Sequence, residues 1–190
     1  FFIGRTALGL VLAGHEPAVW KPVGIKSSQK ALELDPYFSE AWETLGYFQE
    51  RDGDLAAALT SFVKAFEKMP VEQRYVGKII ELSQKTGRGP EVLAALKKLE
   101  AEVPAPANIL LLKLEAELYR MNRKPAEAHL IYDKLLRDHP ADVHVLQGAA
   151  LLDLQDGNLQ AAFEKLQRAM IEDPQNPETQ RLLNLISKPR

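Results

Sequence analysis

The chain has 190 residues, with 24 lysines and arginines against 26 aspartates and glutamates, a net charge of -2 and no cysteine. This composition rules out disulfides, thiolate metal sites and cysteine nucleophiles, and the small net charge offers no electrostatic reason for a nucleic-acid partner. Leu, Ala, Glu, Lys and Gln dominate between glycines and prolines that gather at element boundaries, which favours helix throughout.

The strongest pattern is periodic. Pro36, Pro70, Pro104, Pro140 and Pro174 each follow an amphipathic stretch, at separations of 34, 34, 36 and 34 residues. Units of this period stack into a solenoid whose stability is shared between neighbours, so repeats replace domains as the elements of organisation. The predicted division is a degenerate first unit at 1–38, repeats at 39–72, 73–106, 107–142 and 143–176, and a closing helix at 177–190.

In chain order, residues 1–14 are apolar but too short to span a bilayer, and they contain Arg5. A first repeat helix is the expected reading; the end of a membrane or signal segment and a loose packing segment are the alternatives. The missing initiator methionine is consistent with a chain that starts inside a longer protein or after processing. Ser28 to Leu32 resemble the end of a second helix, yet Pro17 and Pro22 interrupt the hairpin expected upstream. Either an insertion follows Gly14 or the first repeat is poorly formed.

The unit at 39–72 is the clearest. Trp42, Leu45 and Gly46 fall at i, i+3 and i+4, and Ala58, Phe62 and Ala65 at i, i+4 and i+7, which makes two helical stripes. Between them Gly53 suits a left-handed helix end and Asp54 an N-cap. Gly46 and Ala58 are small, so the two backbones can approach, while Trp42 and Phe62 are expected to fill the seam. The next unit offers Gly87 in its turn, Pro90 just inside its second helix, and Val92, Leu96 and Leu99 as its stripe. The two extra residues of the 36-residue interval are placed at Val103-Pro104-Ala105-Pro106, kept extended by proline. The third unit carries Leu112, Ala116 and Tyr119, then Ala128, Tyr132 and Leu135. In the last, Leu146, Ala149 and Ala150 precede the turn Asp156-Gly157-Asn158 and the stripe Ala162, Leu166 and Ala169. Asn176 can cap a closing helix that starts with Pro177 and covers the last repeat with Leu182, Leu183 and Ile186.

A large aromatic, Leu-Gly, then Ala, Phe, Ala and Pro at these offsets resembles the tetratricopeptide repeat signature, with Ala116 and Tyr119 at its glycine and tyrosine positions and Glu115 where leucine is usual. The resemblance implies an all-α, right-handed α-solenoid of helix–turn–helix repeats with a C-terminal capping helix, and a concave face lined by the first helix of each repeat. Carried onto this chain, that face reads Glu40, Glu43, Tyr47 and Glu50, then Arg74, Lys78, Glu81 and Gln84, then Lys113, Glu117 and Arg120, then His144, Gln147, Leu151 and Leu154. It changes from acidic through mixed to partly apolar. Taken singly these are ordinary solvated positions, but Tyr47, Arg74, Lys78, Leu151 and Leu154 are expected to form an unpaired set available to a partner.

The family's basic-and-asparagine clamp for a chaperone's terminal carboxylate is incomplete. Arg74 and Lys78 match its two basic positions, but Glu43 and Tyr47 stand where lysine and asparagine are required, and Thr44 supplies no asparagine. The leading expectation is therefore a non-catalytic scaffold that takes a protein segment, an extended peptide or a short amphipathic helix in its groove. The alternative is a spacer or self-association module of a larger envelope or secretion-type assembly, using Phe1, Phe2 and Ile3 as a stacking face; a regulatory region attached to an enzyme is a weaker third.

Nothing in the chain spells out catalysis or a cofactor. His15-Glu16-Pro17 lacks the second histidine of a helix-borne zinc motif, and His129, His139 and His144 are scattered. No phosphate-binding glycine loop is present. No membrane span is expected, and the compartment, cytoplasmic or periplasmic, stays open.

Overall fold

The computed structural model describes residues 1–102 and 105–187. Among them the chain forms eleven helices and no strand: α1 Phe2–Leu12, α2 Pro17–Leu34, α3 Ser39–Arg51, α4 Leu55–Lys68, α5 Gln73–Thr86, α6 Gly89–Glu100, α7 Ala105–Met121, α8 Pro125–Asp138, α9 Val143–Gln155, α10 Leu159–Glu172 and α11 Pro177–Ser187. This is an all-α repeat solenoid. Val103 and Pro104, half of the segment expected to be extended, lie outside the described residues; α7 begins at Ala105, so Pro106 belongs to its first turn. Among the described residues no helix is long and apolar enough to cross a membrane.

The chain divides into two compact units, Phe1–Leu110 and Leu111–Arg190. In unit 1, α1 packs on α2, α2 on α3, α3 on α4 and α4 on α5. The α3–α4 turn shows how local chemistry closes each hairpin. Gly53 takes φ 79, a left-handed conformation that costs a glycine nothing, and the Asp54 carboxylate accepts from the Ala57 amide at 3.0 Å. A Cβ at Gly46 would lie 3.0 Å from the Phe62 ring, so only glycine lets the fully buried phenyl group come so close to α3. Trp42 is half-buried rather than wholly in the seam, and its indole N–H donates to the Pro36 carbonyl at 3.1 Å, fastening the chain that enters α3.

Within residues 1–38, α1 and α2 pack on each other as a hairpin. α2 has 18 residues against 14 in α4, so most of the extra length after Gly14 is an added helical turn. Pro17 sits at the start of that turn, where its missing N–H is harmless, and Pro22 deprives only the Ala18 carbonyl of a donor. Gly24 stands where three of the later repeats have alanine (Ala58, Ala128 and Ala162) and one has Val92, for a steric reason: its Cβ would lie 2.2 Å from Cζ of Phe48. Phe48 thereby enters a cluster with Ala7, Leu8 and Val11, against which Trp20, Ile25 and Tyr47 pack.

In unit 2, α8 packs on α9, α9 on α10 and α10 on α11. Its first turn has no glycine; Arg123 takes the positive φ, at 56. A buried cluster of Ala150, Ala162, Leu166 and Leu182 is flanked by Leu151, Leu154, Leu183 and Ile186. The cap of α11 is complete, because Asn176 Oδ1 accepts from the Thr179 amide at 3.1 Å.

Candidate functional site

On unit 1 the inner-face residues of α3 and α5 come together as two facing rows of charge. Arg74 lies 3.3 Å from the Glu43 carboxylate and 3.5 Å from that of Glu72. Lys78 donates to both oxygens of Glu50, at 2.8 and 2.9 Å, and to Glu81 at 3.2 Å. The expectation that Arg74 and Lys78 are unpaired is therefore corrected. Acidic Glu43 and Glu50 on α3 and the basic pair on α5 occupy the same level of adjacent helices, and proximity neutralises them.

Tyr47 sits between the rows, half-buried rather than freely exposed. Its ring meets Phe62 edge-on at 5.1 Å, and the Lys78 ammonium lies 5.8 Å from its centroid. Burial, then the neighbouring Glu43 carboxylate, pushes its phenol above the ordinary value. Burial also raises Glu43, and the opposing pull of Arg74 and Arg5 does not cancel that rise. Arg74 donates to the Tyr75 hydroxyl at 3.2 Å, the main reason its own proton is held more tightly.

Three residues of α1 and one of α5 belong to this face and were not picked out by sequence reasoning. The Arg5 charge acts on the Glu43 carboxylate, and Gly9 and Leu12 follow Arg5 at i+4 and i+7 on the same side of α1; all three are exposed. The added turn of α2 hid this register, because counting back 34 residues from α3 misplaces α1. Gly77 follows Glu43 by one repeat. At Gly9 and Gly77 an added Cβ would meet nothing within 4 Å, so neither glycine answers a packing need of the chain. A glycine in a helix interior costs about 0.5–1 kcal/mol relative to alanine, and that unexplained cost was the available signal.

On unit 2 the expected site residues are largely engaged within the unit. Lys113 pairs with Asp142 at 2.5 Å, and Asp142 also accepts from the Val145 amide at 3.1 Å. Burial is the largest single influence on Asp142 and raises it, but these two hydrogen bonds together with the neighbouring positive charge hold the carboxyl below its ordinary value. Glu117 pairs with Arg120 and accepts from the Tyr132 hydroxyl at 3.0 Å. Gln147 is buried, its amide donating to Asn176 Oδ1 and to Thr179 Oγ1, both at 2.8 Å. Leu151 and Leu154, expected as an uncovered pair, pack against the buried cluster that α11 closes. His144 is the exposed member of this set. Among the described residues no group of three or more histidines and carboxylates could hold a metal ion.

The tetratricopeptide repeat family profile matches residues 28–60 and 113–177, which carry α3 and the hairpins of unit 2. No curated protein sequence matches the chain. Among solved structures, it is similar to a tetratricopeptide repeat protein from Parabacteroides merdae ATCC 43184, with 19% identity over 97% of this chain and 70% of that one, at a TM-score of 0.64. PilW, a type IV pilus biogenesis factor, is 15% identical over 98% of this chain and 83% of its own, with a TM-score of 0.65. YrrB, described as having an unusual peptide-binding site, is 15% identical over 94% and 89%, with a TM-score of 0.56. At such identities the likeness is one of fold.

Proposed function

The chain belongs to the tetratricopeptide repeat family, and from that premise we propose that it is a protein-interaction scaffold that takes an extended peptide or short amphipathic helix on the inner face of unit 1, around Tyr47. The observation that carries this reading is the open helix interior at Gly77, one repeat on from Glu43, where a partner's backbone can approach α5 with no side chain in the way. Gly9 leaves the same freedom on α1.

Recognition follows from what borders that space. The flank of Tyr47 offers apolar contact, and Leu12 on α1 is a further exposed apolar side chain. Arg74 and Lys78 already have carboxylate partners, so a ligand exchanges ion pairs rather than supplying the first ones. Such exchange selects among sequences more than it adds affinity. It also disfavours a free terminal carboxylate, which competes with Glu43 and Glu50 for the same cations. On unit 2, His144 is the inner-face side chain left open to a partner. YrrB, alike in fold, has a peptide-binding site in its description, which accords with this class of function.

A displayed peptide library selected on the wild-type chain, followed by calorimetry with wild type and Gly77→Gln, tests the proposal. Glutamine fits the open space, so helicity and melting should be retained while affinity falls at least tenfold, about 1.4 kcal/mol. Equal affinity for the two proteins places the peptide elsewhere.

A further inference from the structure

The carboxylates of the inner face are held in unequal ways. Glu50 accepts from the Lys78 ammonium with both oxygens, Glu81 accepts from Lys78 and Lys85, and in unit 2 Glu117 accepts from Arg120 and from the Tyr132 hydroxyl. Glu43 differs: among the described residues no side chain or amide donates a hydrogen bond to it. Arg74 stands 3.3 Å away through Nε, but the hydrogen bond that this guanidinium makes goes to the Tyr75 hydroxyl. The Glu43 side chain is 15% exposed, so little water reaches it to supply the missing donor.

The charge around Glu43 is also unbalanced. Glu40 and Glu72 stand with it as carboxylates, while Arg5 of α1 and Arg74 of α5 are the guanidiniums that act on it, so three negative charges face two positive ones. The phenols of Tyr47 and Tyr75, both held above their ordinary value by burial, add no charge of their own. Access to this spot comes from α5. Gly77 follows Arg74 by three residues on the same side of the helix, and an added Cβ there would meet nothing within 4 Å.

We propose, on the reading of this face as a peptide site, that the bound segment carries a lysine or arginine whose cation donates to the Glu43 carboxylate while its backbone crosses α5 at Gly77. One added cation brings the local charges into balance and gives Glu43 the hydrogen bond it lacks. A bond of this charge-assisted kind is roughly twice as strong as one between neutral groups. Arg74 stays in place, because it keeps the Tyr75 hydroxyl at 3.2 Å and the Glu72 carboxylate at 3.5 Å. An acidic side chain at the same spot would set a further negative charge beside a carboxylate already short of donors.

The test takes, from the displayed peptide library selected on the 190-residue chain, the clones whose binding is lost in Gly77→Gln. These clones should share a lysine or arginine at one position. Calorimetry on a double-mutant cycle then pairs replacement of that base by norleucine with Glu43→Gln, circular dichroism serving as the control for folding. The replacement should cost about tenfold or more in affinity for wild type and less than about twofold for Glu43→Gln. Proton linkage gives a second readout, since the cation keeps Glu43 ionised in the complex. Affinity should be full well above pH 4.5 and fall as pH drops through the raised value of the free protein, and Glu43→Gln should remove most of that fall. Clones that depend on Gly77 yet share no base, or a base whose loss costs as much in Glu43→Gln as in wild type, overturn the proposal and leave the peptide site standing. If no clone depends on Gly77, the site itself falls, and the base at Glu43 with it.

Discussion

The inner faces of the two units are built from the same repeat and put to different use. In unit 1 the face holds exposed Arg5, Leu12 and Arg74, a half-buried Tyr47 and two glycines with open space above them. In unit 2 the corresponding positions are turned inward: Gln147 holds the cap of α11, Leu151 and Leu154 lie against its apolar side, and Glu117 is bound by Arg120 and Tyr132. A position inside a repeat therefore does not define a binding residue by itself. Whether the next helix covers it decides the matter.

The largest contrast should appear at two glycines. A Cβ at Gly148 would lie 2.5 Å from the Tyr132 hydroxyl, and that ring is buried and held by Glu117, so Gly148→Val should lower the stability of unit 2 by about 1–3 kcal/mol. In unit 1, Gly77→Ala should raise stability by about 0.5–1 kcal/mol, because it meets nothing and improves the helix. Urea titration of both variants checks the opposite signs; a loss at both positions would mean the face of unit 1 is also closed.

A second, comparable effect belongs to Gln147. Its removal leaves Thr179, fully buried, without its side-chain donor, so Gln147→Ala should cost about 1–3 kcal/mol and loosen α11 first. Hydrogen exchange should show the amides of α11 losing protection before those of α9. Uniform loss across unit 2 would argue against a local clamp.

The smallest contrast is in acid response, where the two faces have opposite signs. Glu43 titrates above its ordinary 4.5 in the folded state, so its ionised form is a burden that is relieved as pH falls through the folded value. Asp142 titrates below its ordinary 3.8, so its contribution is complete above 3.8 and is lost as pH falls through the lower folded value. Melting curves from neutral to strongly acid pH should show Glu43→Gln raising stability near neutrality and Asp142→Asn removing part of the acid-side loss. The same pH response in both variants would erase the distinction.

Much of the fold was legible in the sequence because its signals are local. Gly53, Gly87 and Pro90 specify a turn or helix start through their own backbone preference, Asp54 and Asn176 specify caps through their side-chain oxygens, and the structure uses them so. The first repeat was only half legible. Gly24 departs from the alanine of the pattern because Phe48 occupies the space, and the added turn of α2 shifts α1 out of the 34-residue count. The site was harder to read, since pairing is a property between repeats. Arg74 and Lys78 look free until Glu43 and Glu50 are brought alongside, and Leu151 looks exposed until α11 folds over it.

The fastening of Trp42 to the Pro36 carbonyl, and the seat of Trp20 against the cluster around Phe48, have an optical consequence. These are the chain's two tryptophans, and both lie in unit 1. Indole emission therefore reports on unit 1 alone, while far-ultraviolet dichroism sums the helices of both units. Where the two signals melt together the array behaves as one cooperative body, and where they part, the separation between the curves is a direct reading of how far unit 2 keeps its own stability.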